Sequence, residues 1–361
     1  MALMMRRTAM DLYAGCGGMS LGMMNAGFDI VYANEINPDA ASTYKRNFPS
    51  VHVDVEDIRN IEPETVSKKI KLKRIDMIAA GPPCQGFSTL IKRNGRDPRN
   101  RSFKNLVRFV EYFQPKIFVM ENVSGILSMG HGRTITKIKN EFEKLSYNVY
   151  IETLLASQFG VPQDRKRVFL VGTKKKIPKE ELYPKLNGHS SVSVKEAISD
   201  LAFLGIGEAA YKYRWRPRSS YQRKMRGTKK RLYNHESSKH SKEIQKRFAR
   251  IRIGTHGRNN GHFDTRKRDC YKFHPSFPSL TITTLPEDFV HYSVRRIPTV
   301  RELARLQSFP DNFMFEGPRT TGGDRRKTSC PQYTQVGNAV PPLLAEEVFK
   351  NLRKVLPRYY N

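Results

Sequence analysis

The first half of the chain alternates short apolar runs with longer amphipathic stretches. Runs of strand length occupy 8–13, 30–35, 51–55, 75–80 and 117–122, and each ends in polar or glycine-rich residues. The spacing between them predicts helices. Asn37 and Pro38 form an N-cap and first-turn pair opening a helix over 38–48, and over 103–113 Phe103, Leu106, Val107, Val110 and Phe113 share one face. Strand and helix in alternation imply βαβ units, hence an α/β fold with a doubly wound, mostly parallel sheet whose ligands bind beyond the carboxyl ends of the strands. Two further strand-like runs, 148–154 and 167–173, complete this region.

After about Lys174 the alternation stops. Residues 211–270 carry 20 Lys and Arg against four Asp and Glu, a net +16, and they interleave Arg214, Trp215, Arg216, Tyr221, Arg223, Lys224 and Arg226. Cations among aromatics suit phosphate contacts and stacking on bases, while for any single residue a solvated basic face stays open. Regular patterning resumes at Thr299, where Thr299 and Glu302 have capping-box spacing ahead of Leu303, Ala304 and Leu306, so a helix is expected to end before Pro310. A final loop and helix follow over 335–348. The expected domains are 1–174 with 333–361, and a smaller basic one over 175–332 that includes a supporting helix at 299–309.

Composition adds the partner. The 361 residues carry 64 Lys and Arg against 34 Asp and Glu, a net charge of +30, and a cationic surplus of this size favours a polyanion through counterion release. Nucleic acid leads and an anionic membrane comes second, because no run approaches the ~18 apolar residues of a membrane span. The segment 1–7 has no apolar core of a secretory signal, so a soluble, untargeted, cytoplasmic monomer is expected. Cys16, Cys84, Cys270 and Cys330 contain no Cys-x-x-Cys pair, which points away from disulfides and zinc. His256, His262, Cys270 and His274 are too irregularly spaced to be assigned a metal.

Three clusters carry candidate chemistry. Asp11-Leu12-Tyr13-Ala14-Gly15-Cys16-Gly17-Gly18-Met19-Ser20-Leu21-Gly22 follows a strand and opens a helix, and its glycines let backbone approach a ligand. Glu35 ends the next strand, where a carboxylate can bind a ribose diol, and Asp57 follows the third. Each feature alone could equally be a packing turn or a cap. Gly81-Pro82-Pro83-Cys84-Gln85-Gly86-Phe87-Ser88 follows the fourth strand, with a thiol after two stiffening prolines that suits a nucleophile better than a core residue. Glu121 ends the fifth strand, so a carboxyl and a thiol are expected to face one cleft and to act on a ring that accepts a nucleophile.

With Gln163-Asp164-Arg165-Lys166-Arg167, the Arg301-Glu302-Leu303-Ala304-Arg305-Leu306-Gln307-Ser308-Phe309-Pro310-Asp311 run and Gln335-Val336-Gly337-Asn338-Ala339-Val340-Pro341, these motifs in this order resemble the DNA cytosine-5 methyltransferases of bacterial restriction-modification systems. The resemblance implies an S-adenosylmethionine-dependent methyltransferase fold with a target-recognition domain in the basic stretch. It implies that Cys84 attacks carbon 6 of a flipped cytosine, that Glu121 binds ring nitrogen 3 and the exocyclic amine, and that Arg165 contacts the base oxygen, with Arg167 also catalytic. Tyr13 would face the adenine where Phe is usual, Glu35 the ribose and Asp57 the adenine amine, with Asn338 near the methionine end. Asp11, Gly15, Gly17, Gly18, Leu21, Ile36, Ile58, Pro82 and Val340 would complete the cofactor site, and Gln85, Ser88, Arg99 and Arg101 would touch DNA. The implied partners are double-stranded DNA near the bacterial nucleoid and a cognate restriction endonuclease. The C-terminal helix would return beside the first strand, and 317–331 looks like a basic insertion. Methylation of tRNA and a catalytically dead DNA-binding regulator remain the competing readings, and a nucleotide-dependent oxidoreductase leaves the basic segment unexplained.

Overall fold

The structure, a computed structural model, describes residues 7–83, 102–186, 188, 191–228, 230–257, 269–320 and 328–360. These divide into two compact units, one of Met1–Leu155, Lys166–Asn187 and Leu344–Asn361, the other of Ala156–Arg165 and Gly188–Leu343. The segments 156–165 and 333–343 thus go with the second unit, and the first runs on past 174 to Asn187.

The first unit is built on a seven-stranded sheet. Its strands are β1 (Arg7–Leu12), β2 (Phe28–Asn34), β3 (His52–Asp54), β4 (Met77–Ala80), β5 (Ile117–Val123), β6 (Asn148–Leu155) and β8 (Lys166–Thr173), while β7 (Gln163–Asp164) belongs to the second unit. The order is β3-β2-β1-β4-β5-β8-β6. The pairs from β3 through β5 are parallel, and β8 runs antiparallel to both β5 and β6, so the sheet is mostly parallel with an antiparallel edge. Chain order reverses between β1 and β4, and ligand crevices in such sheets open at that switch point. The loops after β1 and β4 hold the glycine cluster and the Pro-Pro turn.

The helices follow their sequence signals. In α2 (Pro38–Asn47) the Asn37 side chain accepts from the amides of Asp39 and Ala40 at 3.0 and 3.3 Å, ahead of Pro38 at the first position. α4 (Phe103–Phe113) buries Phe103, Leu106, Phe109, Val110 and Phe113 in the core between β4, β5 and α3 (Pro63–Ile70), with Phe109 fully buried and Val107 only partly so. α5 (Gly125–Ser128) and α6 (Arg133–Glu143) lead into β6, and Phe142 of α6 stacks on Phe118 of β5 at 4.0 Å between centroids.

The C-terminal helix α13 (Pro342–Tyr359) joins the first unit from Leu344 onward. It packs on α1 (Gly18–Asn25) and the start of β2: a Cβ on Gly22 would stand 2.4 Å from that of Ala345, Asn25 donates to Glu346 at 3.0 Å, and Phe28 meets Phe349 edge-on. The helix thus returns onto α1 and onto the start of β2, the neighbour of β1 in the sheet. Gly22 has α-helical backbone and is required by this close approach.

The second unit holds α8 (Val194–Ile198), α9 (Ser220–Arg226), α10 (Lys242–Arg250), α11 (Val300–Leu306) and α12 (Gln332–Asn338), with α7 (Lys179–Leu182) belonging to the first. Thr299 and Glu302 make both halves of the expected capping box. The stretch 335–338 closes α12 instead of forming a loop. α11 is buried on every side although Arg301, Glu302 and Arg305 are charged, because each charge finds a partner: Arg296 forks onto Glu302 with two 2.7 Å bonds, and Arg305 bridges Asp311 and Asp200. Such burial needs complete pairing. Short strands complete the unit, Ser279–Leu280 pairing with β7 and Phe289–Val290 with Tyr271–Lys272. Part of the expected insertion, 321–327, lies outside the described residues.

Candidate functional site

Three strand ends of the first unit converge. After β1 the chain turns through Tyr13, at φ 59, and Gly15, at φ 56, into α1. A non-glycine residue in the left-handed region costs about 1–3 kcal/mol and is retained where surrounding contacts impose it. Here the Tyr13 hydroxyl donates to the Ser102 carbonyl at 2.8 Å and accepts from Asn105 at 2.9 Å. A Cβ on Gly15 would meet nothing within 4 Å among the described residues.

Glu35, just beyond β2, frames that turn. Its carboxylate accepts from the amide of Gly15 at 2.9 Å and of Asn37 at 2.8 Å, and burial pushes its carboxyl up against the pull of those bonds. Asp11 is fully buried. Ser20 donates to one of its oxygens at 2.6 Å and is itself 2.6 Å from the Tyr44 hydroxyl, while Asp11 Oδ1 has no hydrogen-bond partner. Burial pushes the Asp11 carboxyl up to about 7. Asp57 caps the turn Ile58–Asn60, and the Arg59 guanidinium on its carboxylate holds it below the usual range. Ile58 is buried, Ile36 is 58% exposed, Gly17 and Gly18 are buried at the start of α1, and Leu21 is half-buried. An aromatic ring, a buried carboxylate at the end of the neighbouring strand and a buried acid with one unpartnered oxygen form a donor set that fits a nucleoside carrying a charged tail, as S-adenosylmethionine does.

Beside this cradle, the end of β5 grips the end of β4. Glu121 Oε2 lies 3.7 Å from where a Gly81 Cβ would stand, Asn122 donates to the Pro82 carbonyl at 3.3 Å, and the Tyr13 carbonyl is 3.9 Å from the same Gly81 position. Pro82 is buried and Pro83 exposed. Arg167, opposite Val123 in the antiparallel β5–β8 pair, sets its Nε 3.0 Å from Glu121 Oε1, both side chains about nine-tenths buried. Asn122 therefore holds Pro82, two residues ahead of Cys84 in the sequence, and the Glu121–Arg167 pair stands beside Gly81. Cys84, Gln85, Ser88, Arg99 and Arg101 lie outside the described residues. Asn122 was not singled out in the sequence, though its place in Glu-Asn-Val beside Pro-Pro is the signal that marks it.

In the second unit Arg165 is 2% exposed and its guanidinium donates to the Ile282 carbonyl at 2.9 Å and the Gly337 carbonyl at 2.7 Å. Its terminal nitrogens are spent on these backbone carbonyls, whereas the base-oxygen contact was expected of it. Gln163 continues the lattice, donating to Gln307 at 2.8 Å. Asn338 ends α12 exposed, and Val340 is buried. Arg226 lies 3.8 Å over the Tyr213 ring and is held by Asp200, in the segment read as nucleic-acid binding. Burial pushes the Cys270 thiol up to about 11, and no group of three or more His, Cys, Asp or Glu with metal-site geometry occurs among the described residues. Among them no helix is long and apolar enough to cross a membrane.

The comparisons with known proteins agree. The chain is 39% identical to the type II methyltransferase M.DdeI of Desulfomicrobium norvegicum, over 95% of this chain and 87% of that protein. To the type II methyltransferase M1.HphI of Haemophilus parahaemolyticus it is 35% identical over 97% and 88%. Among solved structures, a DNA modification methyltransferase encoded within a prophage of E. coli superposes with a TM-score of 0.79 at 29% identity, covering 97% of this chain and 99% of that one. The family of C-5 cytosine-specific DNA methylases matches residues 7–354, and the chain belongs to it as a DNA cytosine-5 methyltransferase.

Proposed function

We propose that the enzyme methylates carbon 5 of a cytosine flipped out of a specific duplex DNA sequence, with S-adenosylmethionine as donor, and that it thereby protects DNA from a cognate restriction endonuclease. The observation that carries this reading is the Glu121–Arg167 pair set beside Gly81-Pro82, one strand from the Tyr13 turn. When bound, the cofactor supplies an electrophilic methyl group. Asp11, Tyr13, Gly15, Glu35, Asp57 and Ile58 would hold it, and the family resemblance adds Asn338 and Val340.

The chemistry then falls to the chain's own residues. Carbon 5 of an aromatic cytosine is a weak nucleophile, and addition of the Cys84 thiolate to carbon 6 makes it an enamine carbon. Glu121 bonds ring nitrogen 3 and the exocyclic amine, where charge develops as the sulfur–carbon bond forms. We assign the base oxygen to Arg167 rather than Arg165, since Arg167 is the guanidinium on Glu121 and Arg165 is committed to backbone carbonyls. After methylation the carbon 5 proton leaves and the sulfur–carbon 6 bond breaks, which returns the thiolate. Flipping the target costs ~a few kcal/mol in lost stacking and pairing, and the +16 segment over 211–270 supplies the affinity that offsets it.

Transfer of a labelled methyl group to duplex DNA and to tRNA, run in parallel, tests the reading. Incorporation into duplex DNA that vanishes in Cys84→Ser, with DNA binding kept, is the expected result. Incorporation into tRNA alone, or an unaltered rate in the variant, would overturn it.

A further inference from the structure

The Tyr13 hydroxyl starts a run of hydrogen bonds linking both cofactor loops to one helix. Tyr13 donates to the Ser102 carbonyl and accepts from Asn105 Nδ2. Asn105 Oδ1 accepts from Arg108 at 3.4 Å, and Arg108 reaches the Ile61 carbonyl at 3.2 Å and the Glu62 carboxylate at 2.9 Å. Ile61 and Glu62 directly follow the Asp57–Asn60 turn. The run thus leaves the glycine turn after β1, crosses the first two turns of α4 and returns to the loop after β3.

Packing alone does not call for these residues. Asn105 is buried at the third position of α4 among Phe103, Leu106 and Phe109, where an apolar side chain would be favoured in both propensity and burial. At the first turn of α4 the Ser102 carbonyl accepts from both Tyr13 and Asn105, which tie that turn to the loop after β1. Tyr13 also stands where the resemblance has Phe, and a Phe would break the run at its first bond.

Building on the cofactor reading above, we infer that Tyr13, Asn105 and Arg108 are positioning residues through which occupation of the cofactor loops fixes the first turns of α4. A purine on the Tyr13 face holds the ring, the ring holds Ser102 and Asn105, and Asn105 with Arg108 joins them to the Asp57 loop. By linkage, an ordered α4 start favours the cofactor to the same degree that the cofactor favours the ordered start.

Hydrogen–deuterium exchange of the amides over 103–109, with and without saturating S-adenosylhomocysteine, tests this in the wild type, Tyr13→Phe, Asn105→Ala and Arg108→Ala. In the wild type the nucleoside slows exchange about tenfold, the scale of one or two net hydrogen bonds. In the three variants the change shrinks to about twofold or less, and calorimetric affinity for S-adenosylhomocysteine falls about fivefold, the part of the tenfold coupling that is lost. A role confined to stability would shift exchange equally with and without the nucleoside. Tenfold protection in the variants, or none in a wild type that binds S-adenosylhomocysteine, overturns the relay alone. A wild type that does not bind it overturns the cofactor reading and the relay together.

Discussion

Gly22→Ala is a one-carbon change with a calculable effect. The new Cβ would stand 2.4 Å from Ala345 Cβ, 2.7 Å from the Glu346 amide nitrogen and 2.9 Å from the Ala345 carbonyl carbon. Carbon–carbon contacts are comfortable near ~3.5–4.0 Å, so α1 and α13 must part by about 1 Å. Overpacking of this kind costs roughly 1–3 kcal/mol, against a helix-propensity gain of about 1 kcal/mol for replacing glycine. Two of the clashes are with backbone, which puts the overpacking at about 2–3 kcal/mol, so the net cost is about 1–2 kcal/mol, or a fall in Tm of about 3–6 °C for a unit of this size. α1 carries the glycine turn at its head, so affinity for S-adenosylhomocysteine falls as well. The companion change Ala345→Gly removes the opposing Cβ but leaves the backbone contacts at 2.7 and 2.9 Å, so the double variant recovers only part of the loss, a coupling of about 1 kcal/mol in a double-mutant cycle. Thermal unfolding by circular dichroism and calorimetric binding read both quantities. A Gly22→Ala protein as stable as the wild type, or no recovery on adding Ala345→Gly, would refute the packing argument.

Other consequences follow from the buried charges. Arg305→Ala strips the buried Asp311 of its guanidinium and leaves Asp200 with Arg226 alone, so the second unit loses roughly 3–5 kcal/mol, and a urea midpoint equal to the wild type's would contradict this. Burial holds His235 and His291 down to about 4 and about 3. Both rings stay neutral when folded yet take a proton below about 6.5 when unfolded, so their contribution is full above that pH and is lost as pH falls toward the folded values. At pH 5 each costs roughly 2 kcal/mol, and the loss of urea midpoint between pH 7.5 and 5 should be visibly smaller in His235→Gln. Arg167→Ala removes the counter-charge of Glu121 and lowers kcat about a hundredfold or more with DNA affinity nearly kept. A full rate in single-turnover methylation would return the base-oxygen contact to another residue.

The central strands and the ends that carry Glu35, Asp57 and Glu121 were legible because parallel strands buried on both faces read as unbroken apolar runs. The reversed direction of β8 was not, since alternation cannot tell a strand entered from above from one entered from below. Gly22 read as one more glycine of a ligand turn, yet its role depends on Ala345, more than three hundred residues away. Arg165 and Arg167 are equivalent in the Gln-x-Arg-x-Arg spacing. Only the pairing of β5 with β8 sends Arg167 to Glu121, while Arg165 is taken up by Ile282 and Gly337. The helix at Arg301 was legible from its capping box, but its burial was not, because the partners Asp200, Arg296 and Asp311 sit in three separate segments. Tyr13 was visible as a substitution for Phe, and its hydroxyl gained meaning only when the fold brought Asn105 to it.

Covalent catalysis by Cys84 is the claim on which the rest depends, and a trap tests it most directly. A pool of duplex DNA in which 5-fluorocytosine replaces cytosine is incubated with the enzyme and S-adenosylmethionine, and the protein is digested and sequenced by mass spectrometry. Fluorine cannot leave carbon 5 as a proton does, so the sulfur–carbon 6 bond cannot break after methylation. The account predicts a DNA adduct on Cys84 that requires the cofactor and is absent in Cys84→Ser. An adduct on another residue, or none from an enzyme that methylates ordinary duplex DNA, would contradict it.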